Sequence, residues 1–376
     1  MAKHAEPTSV TLHKILITLR WIGIGLGALI AVAVIGFFVF LYSPFFPKAR
    51  AQYVMMTYHT SNPWLCTAFL PDKMLNRILE ENRVEEPEGF TDPDLIQIVK
   101  PTTTTTGGTT AATTVATTVA TAKPTTTVAD TPRTTSGGYH ITTIYEEEGM
   151  DVLQLTEKNY TARLIRVKDP SRVKLGLCKS FMVNGAYGEK LPDMCARLGA
   201  TAGINAGGFV DVGGVGSGNF PTYLCVKDGE ILYANPEQST YNVIGFNEDN
   251  ILVLGNFTKQ QIIDNKIRDA VSFKPFLIVN GKRAGFYGIS GGEDPRAAIG
   301  QTADGTVLLL TIDGRQAGMI GGNMRTVTDI MWEFGAVTAA NLDGGSSTTM
   351  VINDKLVNKP CGPAGARFLP NGWMVY

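Results

Sequence analysis

Hydrophobic and polar positions fall into distinct textures along this chain. From Trp21 to Tyr42 the run WIGIGLGALIAVAVIGFFVFLY carries no charged residue. At a rise of about 1.5 Å per residue, about 20 apolar residues span a hydrocarbon core of about 30 Å. The run predicts a transmembrane helix over 21–42, with Trp21 and Tyr42 at the two interfaces. Core helices of soluble proteins are rarely so long and so uniformly apolar. A cleaved signal sequence usually has an apolar region of about 7–15 residues. Ala49-Arg50-Ala51 nevertheless has the small-x-small form of a cleavage site, so cleavage stays open as an alternative.

Residues 43–100 hold only apolar islands, such as Tyr53-Val54-Met55-Met56, and read as a stalk with a short helix within 71–85. Residues 101–136 are dominated by Thr with Ala, Gly and Pro and carry no apolar side chain larger than Val. Such a segment cannot bury enough surface to offset its ordering entropy. Residues 101–137 are therefore expected to be a disordered linker. Threonine-rich tracts with Pro are O-glycosylation candidates outside the cell, and an unmodified spacer is the plain alternative.

From residue 138 to the end, short apolar runs alternate with Gly and Asp turns. Leu164–Val167, Tyr223–Val226, Ile231–Tyr233, Ile251–Leu254, Phe276–Val279 and Val307–Ile312 read as strands. Lys227-Asp228-Gly229-Glu230 is a hairpin signal, and Asn280-Gly281 and Asp304-Gly305 are similar turns. Two helices follow i, i+3, i+4, i+7 spacing: Leu191, Met194, Cys195, Leu198, and Val327, Ile330, Met331, Phe334. Gly199 and Gly335 are placed to stop them. Each helix is followed by Gly-Ala, a short strand of small residues, an Asn and a Gly-Gly turn: GATAGINAGG at 199–208 and GAVTAANLDGG at 335–345. This is a weak internal pseudo-repeat, or a coincidence among small residues. It puts Asn205 and Asn341 at equivalent strand ends. The fold class read from this is α/β to α+β, a mixed sheet with flanking helices, over a unit (138–376) long enough to bury its own core.

Composition adds exclusions. The formal net charge is -1, which argues against nucleic acid as the partner. The four histidines, His4, His13, His59 and His140, all lie outside the motif-bearing part of the unit. That disfavours a Ser-His-Asp triad, a Cys-His pair or an HExxH zinc site. There is no GxxxxGK[ST] loop. Five cysteines, Cys66, Cys178, Cys195, Cys225 and Cys361, show no CxxC spacing. Most read as small buried hydrophobes, with Cys178–Cys195 the candidate bridge. No metal and no cofactor is called, so chemistry must come from carboxylates, arginines, hydroxyls and backbone amides.

Three clusters supply these. Asn205, Gly207 and Gly208 open a glycine-rich loop that runs past Asp211 to Asn219, where backbone N–H groups could approach an anion. The alternative is a plain surface loop. Arg296 opens one strand and Arg315 closes the next across the turn, so an antiparallel hairpin puts both at one sheet end. Two guanidinium forks there suit a phosphate diester, while a salt bridge with Asp294 or Asp313 is the bland reading. Asn341, Asp343, Gly344, Gly345, Ser346 and Ser347 lie where an apolar strand meets a loop, and Asp343 is the strongest catalytic carboxylate candidate.

The ordered set GINAGGF (Gly203–Phe209), DPRAAIG (Asp294–Gly300), TIDGR (Thr311–Arg315) and NLDGGSST (Asn341–Thr348) resembles the phosphodiester glycosidase family, over roughly Tyr139–Tyr376. The resemblance implies hydrolysis of an α-linked amino sugar from an anomeric phosphodiester, in a glycan substrate. Many bacterial chains of this kind carry an N-terminal membrane anchor. One departure is the Ala297-Ala298 pair after Arg296, where Thr-Ala or Ser-Ala is common, so a hydroxyl role there is lost.

On these grounds Asp343 and Asp313 are expected at the anomeric carbon, and Arg296 and Arg315 on the phosphate. Asn205, Gly207, Gly208, Asn341, Gly344, Gly345, Ser346 and Ser347 are expected to complete the substrate site. Basic residues give only a slight lean to a cytoplasmic arm at 1–20. The expected location is a single-pass cell-membrane protein with its C-terminal domain outside. A non-catalytic glycan-binding module and a glycosyl or phosphoglycosyl transferase remain competing readings.

Overall fold

The computed structural model of the protein describes residues 9–58, 60, 62–98, 132–211 and 216–376. Most of the threonine-rich segment, residues 99–131, lies outside the described residues.

Helix α1 (Ser9–Tyr42) contains the apolar run and extends it at its N-terminal side. Within its segment His13–Tyr42 an 18-residue window has a mean hydropathy of 2.8 and is almost entirely exposed. A helix apolar on all sides and left uncovered over most of its length fits a bilayer rather than a core.

Residues 43–98 do not form an extended stalk. Three short helices, α2 (Pro47–Tyr58), α3 (Trp64–Thr67) and α4 (Asp72–Glu81), fold back on the end of α1 and onto the C-terminal body. Leu41, Ala51, Val54, Cys66, Leu70, Leu75 and Ile78 make one small core, with Ile289 of the body packed against it. Gln52 exchanges two hydrogen bonds with the main chain of Glu293, at 3.0 and 3.1 Å. Val84–Glu85 pairs with Gly285–Phe286 as a two-stranded ribbon. Thr91 bonds both ways with Leu254, at 3.0 and 2.9 Å, and meets Thr338. The sequence hid this because the anchoring side chains are isolated polar residues whose partners lie about 200 positions away.

The body is three antiparallel sheets. The largest, of nine strands, runs in the order 282–283, 276–279, 336–341, 296–302, 307–312, 161–167, 150–156, 140–147, 133–134. Its outermost strands are two-residue pieces, Lys282–Arg283 and Arg133–Thr134. The latter lies in the expected linker, so the C-terminal end of that segment, at 133–134, is a strand of the body. Two five-stranded sheets complete the body, one centred on Ile267–Ser272 and one on Ala202–Asn205. Every strand pairing among the described residues is antiparallel, which places the fold at the α+β end of its expected range. Phe276–Val279 and Val307–Ile312 match the sequence reading residue for residue.

The central strands Arg296–Thr302 and Val307–Ile312 read as nearly continuous apolar runs because both their faces are covered. Ala297, Ile299, Val307 and Leu309 face the core shared with the two smaller sheets, where Trp373 meets Phe246 edge-on. Ala298, Leu308 and Leu310 face the other way, onto Val327, Ile330 and Met331 of helix α7 (Met324–Glu333).

Helix α5 (Leu191–Leu198) begins at a Pro and ends at Gly199, whose φ of 71° closes the left-handed cap. Helix α6 (Lys259–Asp264) starts from a capping box of Thr258 and Gln261. Gly335 similarly sits at φ 82° after α7. The two pseudo-repeat segments therefore share the sequence helix, glycine, strand, Asn, glycine turn, but their strands belong to different sheets. None of the five cysteines is in a disulfide. Cys195 packs on Gly203 and Met374, in one apolar cluster with Cys178, so the candidate bridge does not form.

Candidate active site

The two glycine turns that end these equivalent strands meet. Asn205 Nδ2 donates to the carbonyl of Asp343 at 2.6 Å, and Asp343 N donates to the carbonyl of Ala206 at 3.1 Å. Asn205 Oδ1 also accepts from Thr349 N at 3.0 Å. Buried and fully used, Asn205 braces the Asp343 turn and does not line the cleft beside it. Gly207 is likewise internal: its N–H donates to Asn371 Oδ1 at 3.0 Å, and a Cβ there would come within 2.9 Å of Val271.

Asp343 lies at the floor of a cleft of about 2300 Å³. Burial pushes its carboxyl up to about 7; a hydrogen bond from Ser347 and the charge of Arg367 pull the other way. A carboxyl tuned into this range can exchange a proton at neutral pH. Gly344 and Gly345 carry the chain around it. Gly344 is close against Pro295, where a Cβ would meet the carbonyl at 2.9 Å, and Gly345 has a φ of 58°. Gly208, Asn341, Gly344, Gly345, Ser346 and Ser347 all line the cleft with Asp343. Asn341 Nδ2 is held by the carbonyl of Lys274 at 2.8 Å, while its buried Oδ1 has no partner.

Both expected arginines also line the cleft, each already engaged. Arg315 grips Asp294 with two bonds, Nε at 2.5 Å and Nη2 at 2.9 Å. Burial alone would lower the Arg315 pKa, but Asp294 more than offsets it and the net shift is upward. Arg296 is 8% exposed and spends Nε and Nη2 on the carbonyls of Gly322, Gly291 and Gly292, at 2.7–3.0 Å. Among the described residues it forms no ion pair, and burial lowers its pKa. A buried guanidinium without a carboxylate on it is poised for an anion.

Asp313 is elsewhere. It is 2% exposed, bound to Arg163 Nη1 at 2.6 Å and accepting from Asn358 Nδ2 and Lys359 N. It does not line the cleft. It is a structural anion that ties the strand at 307–312 to the loop at 358–359.

The sequence reading overlooked Arg367. Its guanidinium forks onto Asp211, Nη1 at 2.5 Å and Nη2 at 2.8 Å, and covers the ring of Phe209 at 4.8 Å. It lines the cleft and pulls on the Asp343 charge, which makes it the basic group most directly coupled to the carboxyl. No spacing announces it: it lies in an irregular loop 156 positions from Asp211. Among the described residues no cluster of His, Cys, Asp and Glu could hold a metal ion.

The cleft thus combines one near-neutral carboxyl, the guanidinium groups of Arg296, Arg315 and Arg367 and a glycine-lined turn, the equipment of a site for an anionic ester. Residues 198–376 match the family model of phosphodiester glycosidases. The match begins at the end of α5, although the strands before it share the same sheets.

A curated relative is the SPbeta prophage-derived uncharacterized protein YomE of Bacillus subtilis (strain 168), 27% identical over 180 residues. That stretch is 45% of this chain and 27% of the relative, so the two share about a quarter of the relative's length. Among solved structures, the catalytic domain of zebrafish N-acetylglucosamine-1-phosphodiester alpha-N-acetylglucosaminidase, auto-inhibited by its pro-peptide, aligns at TM-score 0.49 and 18% identity. The alignment covers 66% of this chain and 88% of that one. A hypothetical protein from Synechocystis aligns at TM-score 0.45 and 15% identity, over 62% and 63%.

Proposed function

We propose that the chain is a membrane-anchored hydrolase that releases a sugar, an α-linked N-acetylated amino sugar, from an anomeric phosphodiester in a cell-envelope polysaccharide or related glycan. Residues 21–42 cross the membrane, and the C-terminal domain acts outside the cell. Water supplies the new bond to the anomeric carbon, the bond from that carbon to the phosphate oxygen breaks, and a phosphomonoester leaves.

The observation that carries this reading is the pairing, on one cleft, of Asp343 near neutrality with Arg296, a buried cation whose bonds go to main-chain carbonyls. The departing phosphate monoester is a weakly basic leaving group and needs little proton donation. Arginines can therefore stabilise its departure. The carboxyl is needed where positive charge develops, at the anomeric carbon, and Asp343 acts there in its ionised form. Arg296 and Arg315 hold the phosphate from one side and Arg367 faces it from the Asp343 side.

The anchoring reading draws support from the chain after α1. Arg50, within the small-x-small site Ala49-Arg50-Ala51, is in helix α2 and buried, with Nη1 on the carbonyls of Leu41 and Ser43 at 3.1 and 3.0 Å. A peptidase needs an exposed, extended segment, which this is not.

The test is to incubate the full chain with the methyl phosphodiester of GlcNAc-1-phosphate and assay free GlcNAc. Release with water as acceptor is expected. Binding without release would favour a glycan-binding module, and transfer to an added acceptor would favour a transferase.

A further inference from the structure

The cleft that holds Asp343 runs onto the helices that leave the membrane span. Tyr53, Met56 and Leu65, from α2 and α3, line the same cleft as Asp343, and so does Leu79 of α4. Tyr53 is also in ring contact with the last turns of α1, its centroid 5.9 Å from that of Phe37 and 6.1 Å from that of Phe40. One side chain thus belongs both to the wall of the cleft and to the packing at the end of the apolar helix.

This join is not loose. Phe69 packs edge-on against Phe37 at 5.4 Å, and Tyr42 Oη donates to the carbonyl of Phe69 at 2.6 Å. The same helical layer is bonded to the body through Gln52 and Asn82. The cleft is therefore held at a fixed short reach from the span. Around that junction, Phe45 is 85% exposed and Trp64 56%, aromatic rings of the kind that settle at a membrane interface.

We infer that the aglycone of the substrate is a lipid: the chain acts on a sugar joined through a phosphodiester to a long apolar alcohol still seated in the bilayer. This rests on the glycosidase and membrane readings above and names the substrate class of the same site. The sugar and phosphate reach Asp343 and Arg296, while the apolar chain leaves along Leu79, Met56, Leu65 and Tyr53 toward the membrane. Met56, Leu65 and Leu79 offer this chain a deformable apolar strip, beside the polar Thr57, Asn62, Asn76 and Glu80 of the same wall. Hydrolysis transfers the water oxygen to the anomeric carbon, frees the sugar to the aqueous phase and leaves the lipid monophosphate in the membrane. A soluble polymer would gain nothing from an apolar path that ends at the bilayer.

The experiment uses the full chain in phospholipid vesicles with three phosphodiesters of GlcNAc-1-phosphate. One carries methyl. One carries hexadecyl. The third carries the same hexadecyl group behind a hydrophilic oligoethylene spacer, so it concentrates at the vesicle but keeps its apolar chain off the cleft. The expected kcat/KM for the direct hexadecyl ester exceeds that of the spacer ester at least 10-fold, and Met56→Glu lowers that ratio several-fold. Equal rates for the direct and spacer esters, with the methyl ester turned over, would overturn the lipid path and leave the glycosidase reading standing. No release from any of the three would remove the glycosidase reading and this one with it.

Discussion

Asn205 ends one glycine-turn strand, and its side-chain amide holds the main-chain carbonyl of Asp343, at the end of the matching strand in another sheet, at 2.6 Å. The catalytic candidate is thus positioned by its own structural counterpart. Asn205→Ala removes this bond and the acceptor of Thr349 N. Leaving buried groups unpaired costs about 1–3 kcal/mol each, so a drop in Tm of several degrees is expected by calorimetry. The kcat should fall about 10-fold with KM little changed, because the turn loosens without losing any group that touches substrate. A fall in stability with kcat untouched would confine Asn205 to folding.

Asp343 and Asp313 are predicted to separate. Asp343→Asn keeps the shape and removes the charge, and kcat should drop by at least about 100-fold with KM nearly constant. Asp313→Asn leaves Arg163 without its buried partner, and breaking such a pair costs about 3–5 kcal/mol. Chemical denaturation should register that loss, while kcat/KM of the folded fraction stays near wild type. The reverse pattern would exchange their roles.

The pH dependence follows from the carboxyl raised to about 7. Acting ionised, Asp343 should give a kcat/KM that rises with pH and levels off above about 7. A phosphodiester does not titrate there, so this limb belongs to the enzyme. The sign for stability is opposite. A carboxyl raised on folding favours the folded state below its unfolded value near 4 and loses that contribution as pH climbs through 7. Asp343→Asn should therefore melt close to wild type at pH 4 and above it at pH 8. Identical differences at both pH values would show that the carboxyl is not raised.

Arg367→Ala deletes both the fork on Asp211 and a positive charge that favours ionised Asp343. A loss of about 10- to 150-fold in kcat/KM corresponds to one charged hydrogen bond of about 1.5–3 kcal/mol. The acid limb should also move to higher pH. Loss of rate with an unmoved limb would assign Arg367 to the phosphate alone.

A chain starting at residue 138 lacks the bonds from Gln52, Asn82 and Thr91 and the edge strand at 133–134. It should melt well below a chain that starts at 43, and equal melting would return residues 43–98 to the status of a stalk. In whole cells, externally added protease should remove the domain, and protection until lysis would reverse the topology.

Much of the body was legible because local rules sufficed there. Periodicity announced α5 and α7, and the turn signals at Asp228-Gly229 and Asn280-Gly281 sit in the left-handed conformations those residues tolerate. The Asp343 turn was found through the repeat of small residues. Arg296 and Arg315 were located correctly at one sheet end, but their local partners, three carbonyls and Asp294, come from loop paths that no period encodes. Asp313 looked equivalent to Asp343 because both precede a glycine. Only the arrival of Arg163 from the neighbouring strand distinguishes them. Arg367 and the docked helices α2–α4 depend wholly on contacts between distant segments.

The large sheet closes on each side with a two-residue strand bearing a cation, Arg133–Thr134 at one rim and Lys282–Arg283 at the other. An open rim is a template for another chain to add a strand, and short charged rims suppress such addition. Proteins tethered to a membrane meet each other in two dimensions at high local density. On the anchoring proposed above, neighbouring copies of this domain would crowd together on the bilayer without stitching their sheets into a continuous aggregate.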